Sequence, residues 1–326
     1  MPSRHLIDPE LLPVLDMVPA LDLSHAALPQ IRAALNASLA NREIAIPEGV
    51  TLEERSTRAA EGHEIALIVS RPTQLAAAPR PAVLHIHGGG YIIGSAALMN
   101  GSNMQLARDA DCVVVSVDYR LAPETTHPGP VEDCYAALKW LHESASELGI
   151  DPERIAVMGE SAGGGLAAAL ALLARDRNEF RIVHQNLIYP MIDDRTCLQA
   201  DTHPFTGEFI WTQGANHFGW SALLGHEPGR DGVSPYAAPA RAEDLAGLPS
   251  TFISVGALDL FLEEDIEYAR RLTRAGVPTE LHVYPGAFHG FDTAPSARTA
   301  RQARTTAFAA IYRALYPENQ VPNQLL

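Results

Sequence analysis

Lysine is nearly absent from this chain. Among 24 basic residues, Lys139 is the only one. It lies in "YAALKWLHE", a helical pattern whose ordinary place is a solvated face. Schiff-base chemistry and Ser–Lys hydrolysis both need a placed lysine, so both are disfavoured. Cysteine is scarce too. Cys112, Cys134 and Cys197 are an odd set without metal-ligand spacing, and they read as reduced, packed thiols of a cytosolic protein. Positive charge is in deficit: the net charge is -15. An acidic surface repels phosphate backbones, which argues against nucleic-acid binding. No apolar run approaches a membrane span. The first residues, "MPSRHLIDPELLPVLDM", carry charges and prolines where a signal peptide needs an unbroken apolar segment. The expectation is a soluble, cytoplasmic protein with no membrane partner and no metal.

What is present is a chain of 326 residues, 47% of them hydrophobic, which suffices for one large core. Residues 1–45 read as two helices. Asp8 is the expected cap of the first, with Pro9 at its first position. The second, "SHAALPQIRAALNASLANRE", spaces Leu28, Ile31, Leu35 and Leu39 helically. A hairpin is expected near 51–58 and 63–71. From Ala82 onward strands at 82–87, 112–119, 154–159, 184–190, 251–256 and 280–285 are almost wholly apolar, as in strands buried on both faces. Helical patterns at about 129–148, 162–176, 263–275 and 296–315 separate them. That alternation predicts an α/β fold with a mainly parallel, doubly wound sheet flanked by helices. The long gap from 191 to 250 contains "FTGEFIWTQGANHFGWSALLG", an aromatic, helical insertion at about 195–235. Together with residues 1–45 it would cover the sheet as a helical cap, leaving 46–326 as the main domain.

One junction carries the chemistry. "RIAVMG" reads as a strand and "GGGLAAALALLAR" as a helix, and Ser161 stands between them in "GESAG". This strand–turn–helix setting gives a G-x-S-x-G match its meaning. Lifting the hydroxyl above the sheet edge requires a strained serine backbone. Glycine at 159 and 163 leaves the room for it. The spacing fits neither a phosphate-binding P-loop nor a dinucleotide fingerprint.

Three further elements complete the set. "HIHGGGYIIG" places His87, Gly88, Gly89 and Gly90 directly after a strand, where backbone N–H groups can face an oxyanion. The N–H of Ala162, the residue after the serine, is the expected partner donor. His87 reads as orienting the loop. Asp259 follows a strand that ends at Gly256. Glu263, Glu264 and Asp265 look like the first turn of the next helix, where carboxylates complement the dipole. His289 lies in a loop after the last strand, between Gly286 and Gly290. Asp292 competes for the acid role but is too near His289 in sequence for the usual arrangement. The order Ser161, Asp259, His289 is that of a hydrolase triad on an α/β sheet. Aspartate-nucleophile chemistry fails because position 161 is serine.

With these residues in hand, the chain resembles the bacterial hormone-sensitive-lipase family of α/β-hydrolase esterases. The matching pieces are "HGGG" (87–90), "DYRLAPE" (118–124), "GESAGG" (159–164), "YP" before Asp193 and Asp194, "LD" at 258–259 and "FHGF" (288–291). The resemblance implies a helical cap, carboxylesterase activity on short-to-medium acyl esters of small molecules, and no cofactor. It implies oxyanion donors at Gly89 and Gly90, and a homodimer through the last strand and helix. Many members have Asp where this chain has Glu160, so Glu160 should keep a hydrogen-bonding role beside the site. "DYRLAPE" reads as a supporting turn, with Glu124 a candidate for the same surroundings. Tyr91, next to the glycine loop, is a pocket candidate. Phe209, Trp211, Phe218 and Trp220 either include pocket walls or pack the cap. The rival reading, a receptor on the same fold, would fit loss of the histidine, which is present here.

Overall fold

The computed structural model of the protein describes residues 3–17, 23–40, 44–198, 203–318 and 320–325. Two helices come first, α1 (Leu12–Met17) and α2 (Leu28–Ala40). A hairpin of β1 (Val50–Arg58) and β2 (Glu64–Pro72) follows. Strands and helices then alternate: β3 (Arg80–Ile86), α3 (Asn100–Asp109), β4 (Val113–Asp118), α4 (Gly129–Glu143), α5 (Ala145–Leu148), β5 (Ile150–Glu160), α6 (Ala162–Arg177), β6 (His184–Ile188), α7 (Gln213–Leu224), β7 (Ser250–Gly256), α8 (Leu262–Arg274), β8 (Thr279–Tyr284) and α9 (Arg298–Leu315).

The strands form one eight-stranded sheet in the order β1-β2-β4-β3-β5-β6-β7-β8. Pairing is antiparallel from β1 to β2 and from β2 to β4, and parallel from there on. The apolar runs fall where both faces are covered. Val83, Leu84 and Ile86 on β3, Ala156 and Val157 on β5, and Phe252, Ile253 and Val255 on β7 have no exposed surface. β1, "VTLEERSTR", is an edge, and its charges disfavour pairing of that edge with another strand. β8 is the other edge and leaves Leu281 and Val283 exposed. This is the strand through which the family resemblance implies a homodimer.

One helix is unannounced and two expectations need correction. The helix α3 has no apolar pattern to announce it, because Asn100 and Asn103 are buried beside Met104, Leu106 and Ala107. The run expected as one helix over 129–148 is two, parted at Ser144, whose N–H donates to the Trp140 carbonyl. Asp8 does not cap α1, which begins four residues later. Its carboxylate accepts from the N–H of Glu10 and the hydroxyl of Thr299, and these bonds hold it below the usual carboxylate range. The first residues therefore buttress α9. Asp8 N–H donates to the Gly286 carbonyl, and Ile7 and Leu11 pack with Phe288 and Phe291.

The helical cover expected from residues 1–45 and 195–235 falls partly on residues 18–22, 41–43 and 199–202, outside those described. Within the described part, α2 and α7 share a small apolar cluster. Leu28, Ile31 and Leu35 meet Phe218 and Ala222 there, against Ile92 and Ile93 from the loop after β3. Cys112 and Cys134 are buried, unpaired thiols, and burial pushes both up from their ordinary pKa. The Cys197 side chain lies outside the described ones. Among the described residues no helix is long and apolar enough to cross a membrane.

Candidate active site

The parallel strands all end at one edge of the sheet, and the loops that leave them there bring the chemistry together. Ser161 follows β5 and precedes α6 with φ 55° and ψ -121°. This is backbone that glycine favours, and a serine is held in it only by its surroundings. Ser161 N–H donates to the Ile188 carbonyl, and its own carbonyl accepts from Gly165 and Met191. The glycines are a steric condition. A Cβ at Gly159 would lie 2.2 Å from the Gly163 carbonyl oxygen, and one at Gly163 would lie 2.0 Å from that of Ile86. No side chain fits either place without moving backbone.

Asp259 and His289 converge on this serine. His289 Nε2 lies 2.9 Å from Ser161 Oγ, and His289 Nδ1 lies 2.9 Å from Asp259 Oδ2. The other aspartate oxygen accepts the N–H of Phe261 at 3.0 Å, which fixes the plane of the carboxylate. All three side chains are buried. Phe261 stands edge-on to the imidazole with centroids 5.2 Å apart, and Tyr189 does the same at 4.7 Å. With Nδ1–H donated to Asp259, Nε2 is left to take the serine proton.

The glycine loop lies across the turn. A Cβ built on Gly88 would lie 3.4 Å from Ser161 Cβ, so the loop reaches the reaction centre. Gly89 has φ 126° and Gly90 φ 59°. In the turn and loop bonding among the described residues, the N–H groups of Gly89, Gly90 and Ala162 are not donors. They are free for an oxyanion, next to the N-terminus of α6. His87 donates Nδ1–H to the Gly88 carbonyl and stacks on Tyr119, whose hydroxyl donates to the His87 carbonyl. Burial holds its pKa below the ordinary histidine value.

Glu160, the residue beside the nucleophile, has its partner. Its carboxylate lies 2.9 Å from Nε2 of His85, whose Nδ1 faces Ser116 Oγ at 3.0 Å. His85 is buried on β3, and a histidine inside an apolar strand carries no sequence signal of what it faces. Glu124 is not in these surroundings. It is an exposed carboxylate paired with Arg32 of α2, and that pairing keeps it below its usual pKa. Asp292 has a different partner: its Oδ1 accepts the Tyr189 hydroxyl at 2.5 Å.

The aromatic candidates separate. Trp211 presses on Gly90, where a Cβ would meet its ring at 2.1 Å, and stands 6.2 Å from the His289 ring. Phe209 packs on Phe288 below the histidine loop, and Phe218 belongs to the α2–α7 cluster. Tyr91 has no exposed surface. Its hydroxyl donates to the Met191 carbonyl and its ring packs on Trp220. It supports the loop from behind, which corrects the pocket expectation for that residue.

This constellation can run acyl transfer: a poised nucleophile, a base, an orienting acid and free backbone donors. A family model described as alpha/beta hydrolase fold matches residues 83–293. The chain belongs to that α/β-hydrolase family. Curated relatives extend the likeness beyond the motifs. "Esterase LipI" of Mycobacterium tuberculosis is 36% identical over 295 residues, covering 89% of each chain. "Arylesterase" of Saccharolobus solfataricus is 33% identical, covering 91% of this chain and 95% of its own. Among solved structures, "Bacterial Heroin Esterase" superposes with a TM-score of 0.89 at 42% identity, covering 96% of this chain and 99% of that one. In the hydrolase described here, the acid cluster after Asp259 departs from the sequence expectation. Glu263 is exposed as a first-turn carboxylate should be, but Glu264 and Asp265 are buried. Glu264 accepts the N–H groups of Ile192 and Asp193 and the Thr196 hydroxyl. Among the described residues neither oxygen of Asp265 has a hydrogen-bond partner.

Burial, with Glu264 and Asp259 nearby, pushes the Asp265 carboxyl well above its ordinary pKa. A carboxyl raised in the folded state holds a proton that the unfolded chain releases, so it costs stability as pH climbs above the unfolded pKa of about 4. Asp265→Asn should therefore melt with wild type near pH 4 and outlast it increasingly toward pH 8. The gain at pH 8 is expected to be on the order of 1–3 kcal/mol. Thermal melts of both proteins across that range check this, and a difference that does not change with pH would sink it.

Proposed function

We propose that this protein is a carboxylesterase that hydrolyses short-to-medium acyl esters of small molecules through an acyl-enzyme on Ser161. The observation that carries the reading is the continuous line from Asp259 through His289 to Ser161 Oγ, both contacts 2.9 Å, with the free donors of Gly89, Gly90 and Ala162 beside it. In the first half-reaction His289 takes the Ser161 proton as Oγ attacks the ester carbonyl, and the carbonyl oxygen becomes an anion facing the three N–H groups. Collapse expels the alcohol, which receives that proton from His289. Water then attacks the acyl-serine by the same route, and the acid leaves. Asp259 stabilises the imidazolium in both halves. Trp211, pressed on Gly90, is our choice for a wall of the substrate pocket. The short-chain preference follows the family resemblance. A cytoplasmic location belongs to the same proposal, supported by the buried thiols of Cys112 and Cys134, and cell fractionation tests it.

The test is a kcat/KM series on p-nitrophenyl esters from acetate to palmitate. A maximum at short-to-medium chains is expected, with efficiency falling steeply toward palmitate. A maximum only at long chains would replace the reading with that of a lipase. Absence of hydrolysis across the series would overturn it.

A further inference from the structure

Arg32 is a cation to which the proposed reaction gives no role. It lies on α2, outside the βα core, yet its guanidinium reaches the loop that carries the oxyanion donors. Nε donates to the Ile92 carbonyl at 2.7 Å, and Nη2 donates to the Ala122 carbonyl at 2.6 Å. Nη1 and Nη2 also hold Glu124 at 2.8 and 3.0 Å. The side chain is 23% exposed, and the two carbonyl bonds are partly shielded from water, whereas the Glu124 pair lies at the surface.

The two carbonyls matter because of what they are tied to. The N–H groups of Ile92 and Ile93 both donate to the Gly89 carbonyl, and Ala122 N–H donates to the Tyr91 carbonyl. A Cβ on Gly89 would lie 2.0 Å from the Ile93 oxygen, so the turn from 89 to 93 is closed on itself. Arg32 thus grips both the turn that contains Tyr91 and the segment hydrogen-bonded to the Tyr91 carbonyl. The apolar contacts of Leu28, Ile31 and Leu35 with Ile92 and Ile93 seat the same helix on the same turn. A lysine in this place could not bond two carbonyls and a carboxylate in one plane, whereas the fork of arginine can.

We propose that Arg32 is a positioning residue for the oxyanion hole. It docks α2 onto residues 89–93 and thereby sets where the Gly89 and Gly90 N–H groups point. It touches no reacting atom. The ion pair with Glu124 orients the guanidinium, but the bonds that act are those to Ile92 and Ala122. This inference rests on the hydrolytic reading of the site.

The experiment measures kcat and KM of wild type, Ser161→Ala, Arg32→Ala, Arg32→Lys and Glu124→Gln on p-nitrophenyl acetate and on the hexanoate. Melting temperatures are read alongside. Acetate is small enough that a helix acting only as a wall of the substrate site should not affect it. Arg32→Ala is expected to lower kcat roughly tenfold on both esters with KM nearly unchanged, less than the 10²–10³ of removing an oxyanion donor outright. Arg32→Lys should recover only part of that loss, and Glu124→Gln should keep kcat within about twofold, since it leaves both carbonyl bonds. Unchanged kcat on acetate, with only KM rising on hexanoate, would show that Arg32 merely holds the helix and would overturn the inference. If Arg32→Ala does not fold, Arg32→Lys decides on the same readout. A wild type that hydrolyses neither ester would instead defeat the proposed function, so the two failures are distinct.

Discussion

Ser161→Ala should lower kcat on a p-nitrophenyl ester by about 10⁶-fold, the order seen when a triad nucleophile is removed. KM should stay within a few-fold. The reason lies in how little else the hydroxyl does. Among the described residues Ser161 Oγ has one bond, to His289 Nε2, while the backbone of the turn is held by Ile188, Gly165 and Met191. Alanine keeps the backbone, its strain and its neighbours, so the melting temperature should scarcely move. The oxyanion donors also remain, and a residual rate of 10³–10⁴ over water is expected from them and from binding. The wild type should show a burst of p-nitrophenol equal to the enzyme present where deacylation is slower than acylation. The variant should show none. Activity within tenfold of wild type would mean that the nucleophile lies elsewhere.

The site was legible in the sequence to the extent that its residues sit at strand ends. Ser161 and Asp259 each follow a buried apolar strand, "HGGG" follows another, and His289 follows the half-exposed edge strand β8, so order along the chain became position in space. Residues whose roles depend on what faces them across the sheet were not legible. His85 is one of four buried positions on "VLHI", and nothing in that string says that Glu160 of the neighbouring strand points at it. Tyr91 sits beside the glycine loop in sequence, but the tight turn at Gly89 sends its ring behind the loop. The fold shows the same division. The apolar strands announced themselves. The helix α3 did not, because its buried face contains two asparagines and so breaks the period that marks a helix.

The same limit explains Arg32 and Asp265. Each belongs to a helix whose charges would ordinarily read as solvated, and each is instead turned toward the protein. Arg32 finds two main-chain carbonyls and a carboxylate. Among the described residues Asp265 finds no hydrogen-bond donor. Long-range contacts such as the 90 residues between Arg32 and Ala122 leave no local trace. They are nevertheless what joins the helices outside the sheet to the chemistry at its edge.

Asp259→Asn should lower kcat by about 10⁴-fold while Asp292→Asn changes it by less than tenfold, a contrast that tells the two candidate acids apart. Asp259 uses both oxygens: Oδ1 accepts the N–H of Phe261 and Oδ2 accepts Nδ1–H of His289. An asparagine there must offer its one oxygen to the fixed N–H of Phe261, because that backbone donor cannot become an acceptor. The amide NH₂ then faces Nδ1, which has to accept, and the imidazole proton moves to Nε2. That tautomer presents a donor to Ser161 Oγ and cannot remove its proton, so the geometry survives while the base is lost. Asp292 has no such hold on the imidazole. Its carboxyl meets the Tyr189 hydroxyl, and Arg304 bonds its main-chain carbonyl. Its amide variant should keep the loop in place, since the amide oxygen can still accept from Tyr189. Both rates are read at pH 8 on p-nitrophenyl acetate, with melting curves to exclude unfolding. If Asp292→Asn were the more damaging of the two, the assignment of Asp259 as the triad acid would be wrong.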